Sequence, residues 1–326
     1  MMKFFKIAGI VLGVLFLILV GVYAYIMTQF PKVDPAPDLV INSTPEMIER
    51  GRYLATTMYS CIDCHSQRDP EKFMMPLIPG TEGMGGMDMG ESAGFVPARN
   101  ITQDKETGIG TWTDGEIFRA ITVGVNKNGD PLAPMMPFPL FGQLDSNDII
   151  AVIAYIKTLK PIHNEVGDKS LNFPLNLIFR TIQGPPSFKQ KPDSTNRIAM
   201  GEYLATPCVF CHTPSDKGEM FMDSLVAGGV PFMLPNGGYV RTANITPDME
   251  TGIGTWSKEM FIKRFKDATD PSTHVAVKKE DFNTVMPWTF YGQMTEQDLG
   301  LIYDYLRTVK PVKNMVQKYT PPGGPM

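Results

Sequence analysis

The chain has 326 residues, 43% hydrophobic and 20% charged, with a formal net charge of −4. That length holds two domains with a core each. The acidic balance excludes a nucleic-acid partner, which needs a basic face.

In chain order, Lys3 and Lys6 precede an uncharged run of 21 residues over positions 7–27. A membrane span needs about 20 apolar residues, whereas the core of a cleavable signal takes about 7–15. Tyr23, Tyr25 and Phe30 stand where interfacial aromatics belong, and the lysines suit the cytoplasmic side. Residues 1–28 therefore read as one uncleaved transmembrane anchor with its N-terminus inside, a long cleaved signal being the alternative. Residues 29–43 read as a linker.

Thr44 is placed to cap a helix that has Pro45 at its first position. The next landmark is Cys61-Ile62-Asp63-Cys64-His65, matched later by Cys208-Val209-Phe210-Cys211-His212, and the two motifs hold all four cysteines. C-x-x-C-H is the attachment pattern of c-type haem. Two thiols one helical turn apart bond the porphyrin vinyl groups, and the adjoining histidine is the proximal iron ligand. Zinc wants four clustered ligands, and a redox cysteine pair does not require the histidine. Two covalently bound haem c groups are expected. Haem c is matured outside the bacterial cytoplasm, so the bulk of the chain is expected in the periplasm, held at the inner membrane by the single anchor.

Downstream, most of the sequence is written twice. Gly51-Arg52-Tyr53-Leu54-Ala55-Thr56 returns as Gly201-Glu202-Tyr203-Leu204-Ala205-Thr206, an offset of about 150. Asn100-Ile101-Thr102 and the block ending in Trp112 return as Asn244-Ile245-Thr246 and the block ending in Trp256. Met136-Pro137-Phe138 returns as Met286-Pro287-Trp288. Each copy reads as helical. The capping box Thr113-x-x-Glu116 starts a middle helix that ends near Gly124. A last helix begins at Asp145 and puts Ile149, Val152, Ile153 and Ile156 on one face before Pro161. Its twin begins at the box Thr295-x-x-Asp298 and aligns Leu299, Ile302, Tyr303 and Leu306. Gly51 with Tyr155, and Gly201 with Tyr305, are expected where first and last helices cross. No stretch alternates in the manner of a strand. The domains expected are 44–161 and 195–326, joined by a proline-rich connector over 162–194 whose apolar centre packs across the first domain.

The sixth iron ligand decides what such a haem does, and a methionine sulfur makes it an electron carrier. The chain has 22 methionines, but Met136 and Met286 share one repeat position, each before proline and an aromatic, and are the expected distal ligands. Met135 is an alternative at the first site. Of the histidines outside the motifs, His163 reads as a solvated residue, and His274 reads as a surface residue or a rival ligand. The recurring Asn100, Trp112, Asn244 and Trp256, with Arg99 and Arg241, are candidate donors to haem propionates or else plain loop structure. Met74, Met75, Met84, Met87 and Met89 lie in a glycine-rich loop, where soft sulfur can hold Cu(I) but a haem-covering loop is preferred.

The Asn-Ile-Thr…Thr-Gly-Ile-Gly-Thr-Trp block, the Met-Pro-aromatic segment and Phe173-Pro174 together resemble the multihaem cytochrome c subunits of bacterial membrane-bound dehydrogenases for alcohols, gluconate and related sugars or aldehydes. The resemblance covers residues 45–315, with two haem motifs where those subunits commonly have three. The N-terminal anchor is a second departure from those subunits, and the chain is expected to be all-α, two tandem cytochrome c-like domains behind an N-terminal transmembrane helix. The resemblance implies haem attachment at the four cysteines, proximal His65 and His212, and distal Met136 and Met286. The function expected is electron relay without catalysis, from a dehydrogenase or quinol-oxidising complex to another cytochrome or a terminal oxidase. The alternatives are a dihaem peroxidase and a redox-sensing or copper-handling module.

Overall fold

Local caps set where the helices start. Helix α1 (Met2–Gln29) is the apolar run, and none of its residues is buried. At 28 residues it is about 42 Å long and is a candidate membrane span by length and composition. In α2 (Pro45–Thr56), the Thr44 hydroxyl accepts from the Met47 N–H. The short α3 (Cys61–Cys64) follows, and then β1 (Gly94–Phe95). Helix α4 (Asp114–Val123) has both halves of its capping box in place. Next come α5 (Phe138–Phe141), α6 (Ser146–Ile156), β2 (Ser170–Leu171) and α7 (Leu175–Thr181). The second half holds α8 (Arg197–Leu204), α9 (Thr206–His212), β3 (Ser215–Asp216), β4 (Glu219–Met220), β5 (Pro231–Met233), β6 (Tyr239–Arg241), α10 (Lys258–Lys266), α11 (Trp288–Tyr291), α12 (Glu296–Leu306) and β7 (Tyr319–Thr320). This computed structural model describes residues 2–90, 93–216 and 219–324.

The strands are an addition to the helical expectation. None exceeds three residues, too short for a period-two pattern to register in the sequence. They pair as β1–β2, β3–β4 and β5–β6–β7, all antiparallel. The β1–β2 pair fastens the start of the connector to the first half, with Gly94 opposite Leu171.

Two helix pairs dominate the packing, α2 against α6 and α8 against α12. Each crossing is close because of one glycine. A Cβ on Gly51 would overlap the Ala151 carbonyl and touch Tyr155, and one on Gly201 would overlap the Leu301 carbonyl and touch Tyr305. Where separate cores were expected, one contiguous cluster forms. It joins Leu54, Ile149, Val152 and Ile153 of the first half to Leu204, Leu299, Ile302 and Leu306 of the second. Amphipathic helices bury whatever apolar faces meet, and here the two pairs meet each other.

The seam between the pairs is reciprocal. Tyr53 of α2 donates to the Asp298 carboxylate of α12, and its oxygen accepts from the Thr295 N–H at 3.1 Å. Tyr203 of α8 donates to the Asp148 carboxylate of α6 at 2.9 Å, and its oxygen receives the Asp145 N–H at 3.4 Å. The hydroxyl thus completes the cap of the other half's last helix. In the Thr295 box, Thr295 accepts from the Asp298 N–H as expected, but the carboxylate is turned to Tyr53. Arg50 adds a two-pronged contact to Asp148, at 3.1 and 2.9 Å.

Hydrogen bonds to charged groups contribute about 1.5–3 kcal/mol each. Tyr203→Phe should therefore lower the free energy of unfolding by about that amount in denaturant titration. A change within error would show that the seam is held by apolar packing alone.

Candidate functional site

Both C-x-x-C-H motifs sit on short helices that adjoin the first helix of their half. In α3 the turn is entered through Ser60 in a left-handed conformation (φ 50°), and in α9 through Pro207 in the first turn. Among the described residues the four cysteines are unpaired, and none is engaged in a disulfide. Burial pushes the thiols up, Cys211 to about 11 and Cys61 and Cys208 to about 12, with Cys64 raised likewise. No group of three or more His, Cys, Asp or Glu side chains is gathered for a metal ion among the described residues.

The histidines are the most informative side chains. His65 Nδ1 lies 2.6 Å from the Arg99 carbonyl, and His212 Nδ1 lies 2.8 Å from the Ala243 carbonyl. A backbone carbonyl can only accept, so Nδ1 carries the proton and donates, leaving Nε2 as the free lone pair. Burial lowers both histidine pKa values, which favours the neutral ring that a metal ligand must be. The same loops return to the histidine backbone, Gly85 N–H to the His65 carbonyl and Gly228 N–H to the His212 carbonyl, each at 2.8 Å. The sequence reading did not find these carbonyl partners, although the repeat marks them: Arg99 and Ala243 each directly precede the recurring asparagine.

Met136 and Met286 are part-buried against the same core that Cys61 and Cys208 touch. Each is followed by a proline of matching conformation, Pro137 at φ −78° and ψ 51° and Pro287 at φ −73° and ψ 57°, and then by a four-residue helix. The Phe138 N–H bonds the Met136 carbonyl and the Trp288 N–H the Met286 carbonyl, both at 2.7 Å. In each half an imidazole with Nε2 free, two free thiols and a part-buried thioether make up a donor set whose chemistry fits haem c.

The remaining candidates divide. Asn100 gives its amide to Thr107 and the Ile162 carbonyl and accepts from Thr102, and Asn244 does the same with Thr251, Val312 and Thr246. Both asparagines are buried and used up holding their loops. Arg99 reaches the Val166 and Gly167 carbonyls, and Arg241 reaches Gln317 and Thr320. The Trp112 and Trp256 side chains lie part-buried against the core. His163 is at the surface beside Asp104 and Glu106, and His274 Nε2 is 3.0 Å from the Ala268 carbonyl of its own loop. The methionines of the glycine-rich loop differ in burial. Met74 and Met75 are buried, Met75 against Leu234 and Val240 of the second half, whereas Met84, Met87 and Met89 are only half-buried.

One residue outside every motif links the two sites. Arg68 lies 3.2 Å from Asp63, which sits between Cys61 and Cys64, and both side chains are under 10% exposed. The contact is ionic and lacks the alignment of a hydrogen bond. The same guanidinium donates to the Met75, Met74 and Val285 carbonyls at 2.8, 3.0 and 3.3 Å. Val285 precedes Met286, so one cation spans the first C-x-x-C-H helix and the second methionine loop. Asn283 reinforces it, accepting from Met74 N–H and donating to the Pro70 and Lys72 carbonyls. Position 215, the repeat equivalent of 68, is serine. No periodic signal marks Arg68. Burial raises the Asp63 carboxyl and Arg68 opposes that rise.

Comparison with known proteins finds similarity to cytochrome c subunits. No family model matches the chain. It is 28% identical to the cytochrome c subunit of a quinone-dependent alcohol dehydrogenase from Komagataeibacter europaeus, over 90% of this chain and 60% of that one. It is 30% identical to the gluconate 2-dehydrogenase cytochrome c subunit of Pantoea cypripedii, over 65% of this chain and 49% of that one. A dihaem cytochrome c of Cereibacter sphaeroides is 27% identical over 72% of this chain and 78% of that one. The resemblance to dehydrogenase cytochrome c subunits is thus a property of most of the chain, which spans about 60% of the length of the alcohol dehydrogenase subunits it matches.

Removing one partner of a buried ion pair costs about 3–5 kcal/mol. Arg68→Met should destabilise the protein by about that much, and the double variant Asp63→Asn/Arg68→Met should recover part of the loss in a thermal or denaturant cycle. Strict additivity in that cycle would mean that the two side chains do not interact.

Proposed function

We propose that this chain is a dihaem cytochrome c, anchored by α1 in a bacterial inner membrane, that relays electrons in the periplasm and is not itself a catalyst. A dehydrogenase or quinol-oxidising complex is the donor, and another cytochrome or a terminal oxidase is the acceptor. The observation that carries this reading is the histidine geometry. In both halves a C-x-x-C-H histidine has Nδ1 committed to a carbonyl and Nε2 left for a metal. The similarity to dehydrogenase cytochrome c subunits supports the choice of donor.

When bound, each haem supplies a one-electron iron couple. Cys61 and Cys64, and Cys208 and Cys211, tether the two groups. His65 and His212 present Nε2, held in orientation by the Arg99 and Ala243 carbonyls. Met136 and Met286 present sulfur from loops whose backbone is fixed by the following proline and helix. Among the candidate propionate donors, the asparagines are occupied, which leaves the indole N–H of Trp112 and Trp256 and the remaining N–H groups of Arg99 and Arg241. With a histidine and a methionine both ligating, each iron would have no open position for peroxide or a small organic substrate, which disfavours the peroxidase reading.

Mass spectrometry of the intact mature chain from the membrane fraction should show two covalent haems, and one haem or a freely soluble chain would contradict the proposal. The ferric protein should show the weak sulfur-to-iron charge-transfer band. Met136→Ala should remove one contribution to it and Met286→Ala the other. A spectrum unchanged in Met286→Ala but altered in His274→Ala would reassign the second ligand. Rapid peroxide turnover, with no reduction by a dehydrogenase-containing or quinol-oxidising membrane extract, would overturn the relay itself.

A further inference from the structure

The connector has an apolar stretch that the seam and the two candidate sites leave unused. Residues 170–179 carry no charge, and Arg180 follows them. Among these residues Phe173 is 79% exposed and Ile178 46%, with Ile182 at 39% on the same face of α7 one turn beyond Ile178. No residue of α7 is buried. So exposed a cluster, lying together on one short helix and its entry, points to something apolar that covers it.

Its position says what that is. Helix α7 packs against α1, and Arg180 donates to the Phe30 carbonyl at 2.8 Å and to the Met27 carbonyl at 3.4 Å. The apolar stretch of α1 over positions 7–27 ends at Met27, before Thr28 and Gln29, and its 21 residues span about 31 Å, close to the roughly 30 Å of a bilayer's hydrocarbon layer. The guanidinium therefore grips α1 at the level where hydrocarbon gives way to headgroups. Arginine with neighbouring aromatics is suited to that level, its stem in the apolar zone and its charge among polar groups. Tyr23 and Tyr25, both at least half exposed, lie within a turn or so of the same level on α1.

We propose that residues 170–182 rest in the headgroup region of the membrane that α1 spans, with Phe173, Ile178 and Ile182 directed into the lipid. This rests on the anchor reading of α1. The segment is tied to the first half at both ends: Leu171 pairs with Gly94, and Gln183 donates to the Leu132 carbonyl at 3.1 Å, four residues before Met136. Lipid contact there turns the first half toward the bilayer and carries the second half away from it. The anchor alone, joined through a linker, would leave that orientation free.

The test uses the full-length chain in phosphatidylethanolamine–phosphatidylglycerol vesicles that contain a diazirine-bearing phospholipid. After photolysis, trypsin cuts behind Lys6 and Lys32 and behind Lys169 and Arg180, releasing the anchor peptide 7–32 and the connector peptide 170–180. Lipid adducts are expected on both, and not on the peptide bearing Phe221 and Met222, which are equally exposed but lie in the second half. The double variant Phe173→Glu/Ile178→Glu should lower the connector adducts severalfold while those on 7–32 persist. Adducts on 7–32 without any on 170–180 would overturn the inference and leave the anchor standing. Absence from both would remove the anchor and the inference together. Equal labelling of the Phe221 peptide would reduce the contact to indiscriminate apolar capture and overturn it as well.

Discussion

The exchange of tyrosines between the halves is the constraint from which the rest of the arrangement follows. Tyr53 reaches across to Asp298 and the Thr295 N–H, and Tyr203 reaches back to Asp148 and the Asp145 N–H. Each contact is specific in direction and length, and each ends on a helix start, where unpaired N–H groups need acceptors. Together they bring α2, α6, α8 and α12 into one core. Once those four helices are set, α3 and α9 are set too, because each follows directly from the first helix of its half. The two C-x-x-C-H motifs then stand at a fixed distance whatever the connector does.

Within this near-symmetric frame the chain departs from symmetry where the halves exchange other contacts. Arg68 and Asn283 lock the Met74–Met75 turn of the first half to the methionine loop of the second. Met74 and Met75 adopt positive φ values of 67° and 43°, unfavourable for side chains of that size, and their carbonyls are held there by the guanidinium. The second half has no counterpart, since serine occupies the position equivalent to Arg68. The surroundings of the two candidate sites differ even though their candidate donors match, and under the proposed function such a difference would give the two haems different potentials.

Features set by local chemistry were legible in the sequence. Thr44, Thr113, Asp145 and Thr295 cap the helices they were expected to cap, because a cap needs only a side-chain oxygen and the next turn's N–H. Gly51 and Gly201 admit a crossing helix as the repeat suggested, since a position that cannot carry a Cβ leaves its mark in both copies. The resemblance to dehydrogenase cytochrome c subunits rested on whole motifs and agrees with the relatives found. What escaped notice depends on partners distant in the chain. The carbonyls behind His65 and His212 belong to residues of any type, and Arg68 meets Val285 across more than two hundred positions. The merged core is of the same kind: periodicity marks a face as apolar but not which face it meets. The asparagines recur because their loops do, and a repeat alone does not distinguish a loop tie from a ligand contact.

The tyrosine exchange has an implication for how such a chain is put together. A residue at one position meets its partner in the other half, and the equivalent pair meets in return, which is the isologous pattern of a twofold homodimer. A single-copy protein with tyrosine and aspartate at these places would satisfy the same contacts by pairing with itself. Joining two such copies in tandem converts a concentration-dependent association into an intramolecular one. It also frees the two copies to diverge, so that one can acquire Arg68 and the other Asn283. The same logic carries a hazard: because the halves recognise each other through matching surfaces, two chains held in one membrane can trade halves wherever the connector allows it.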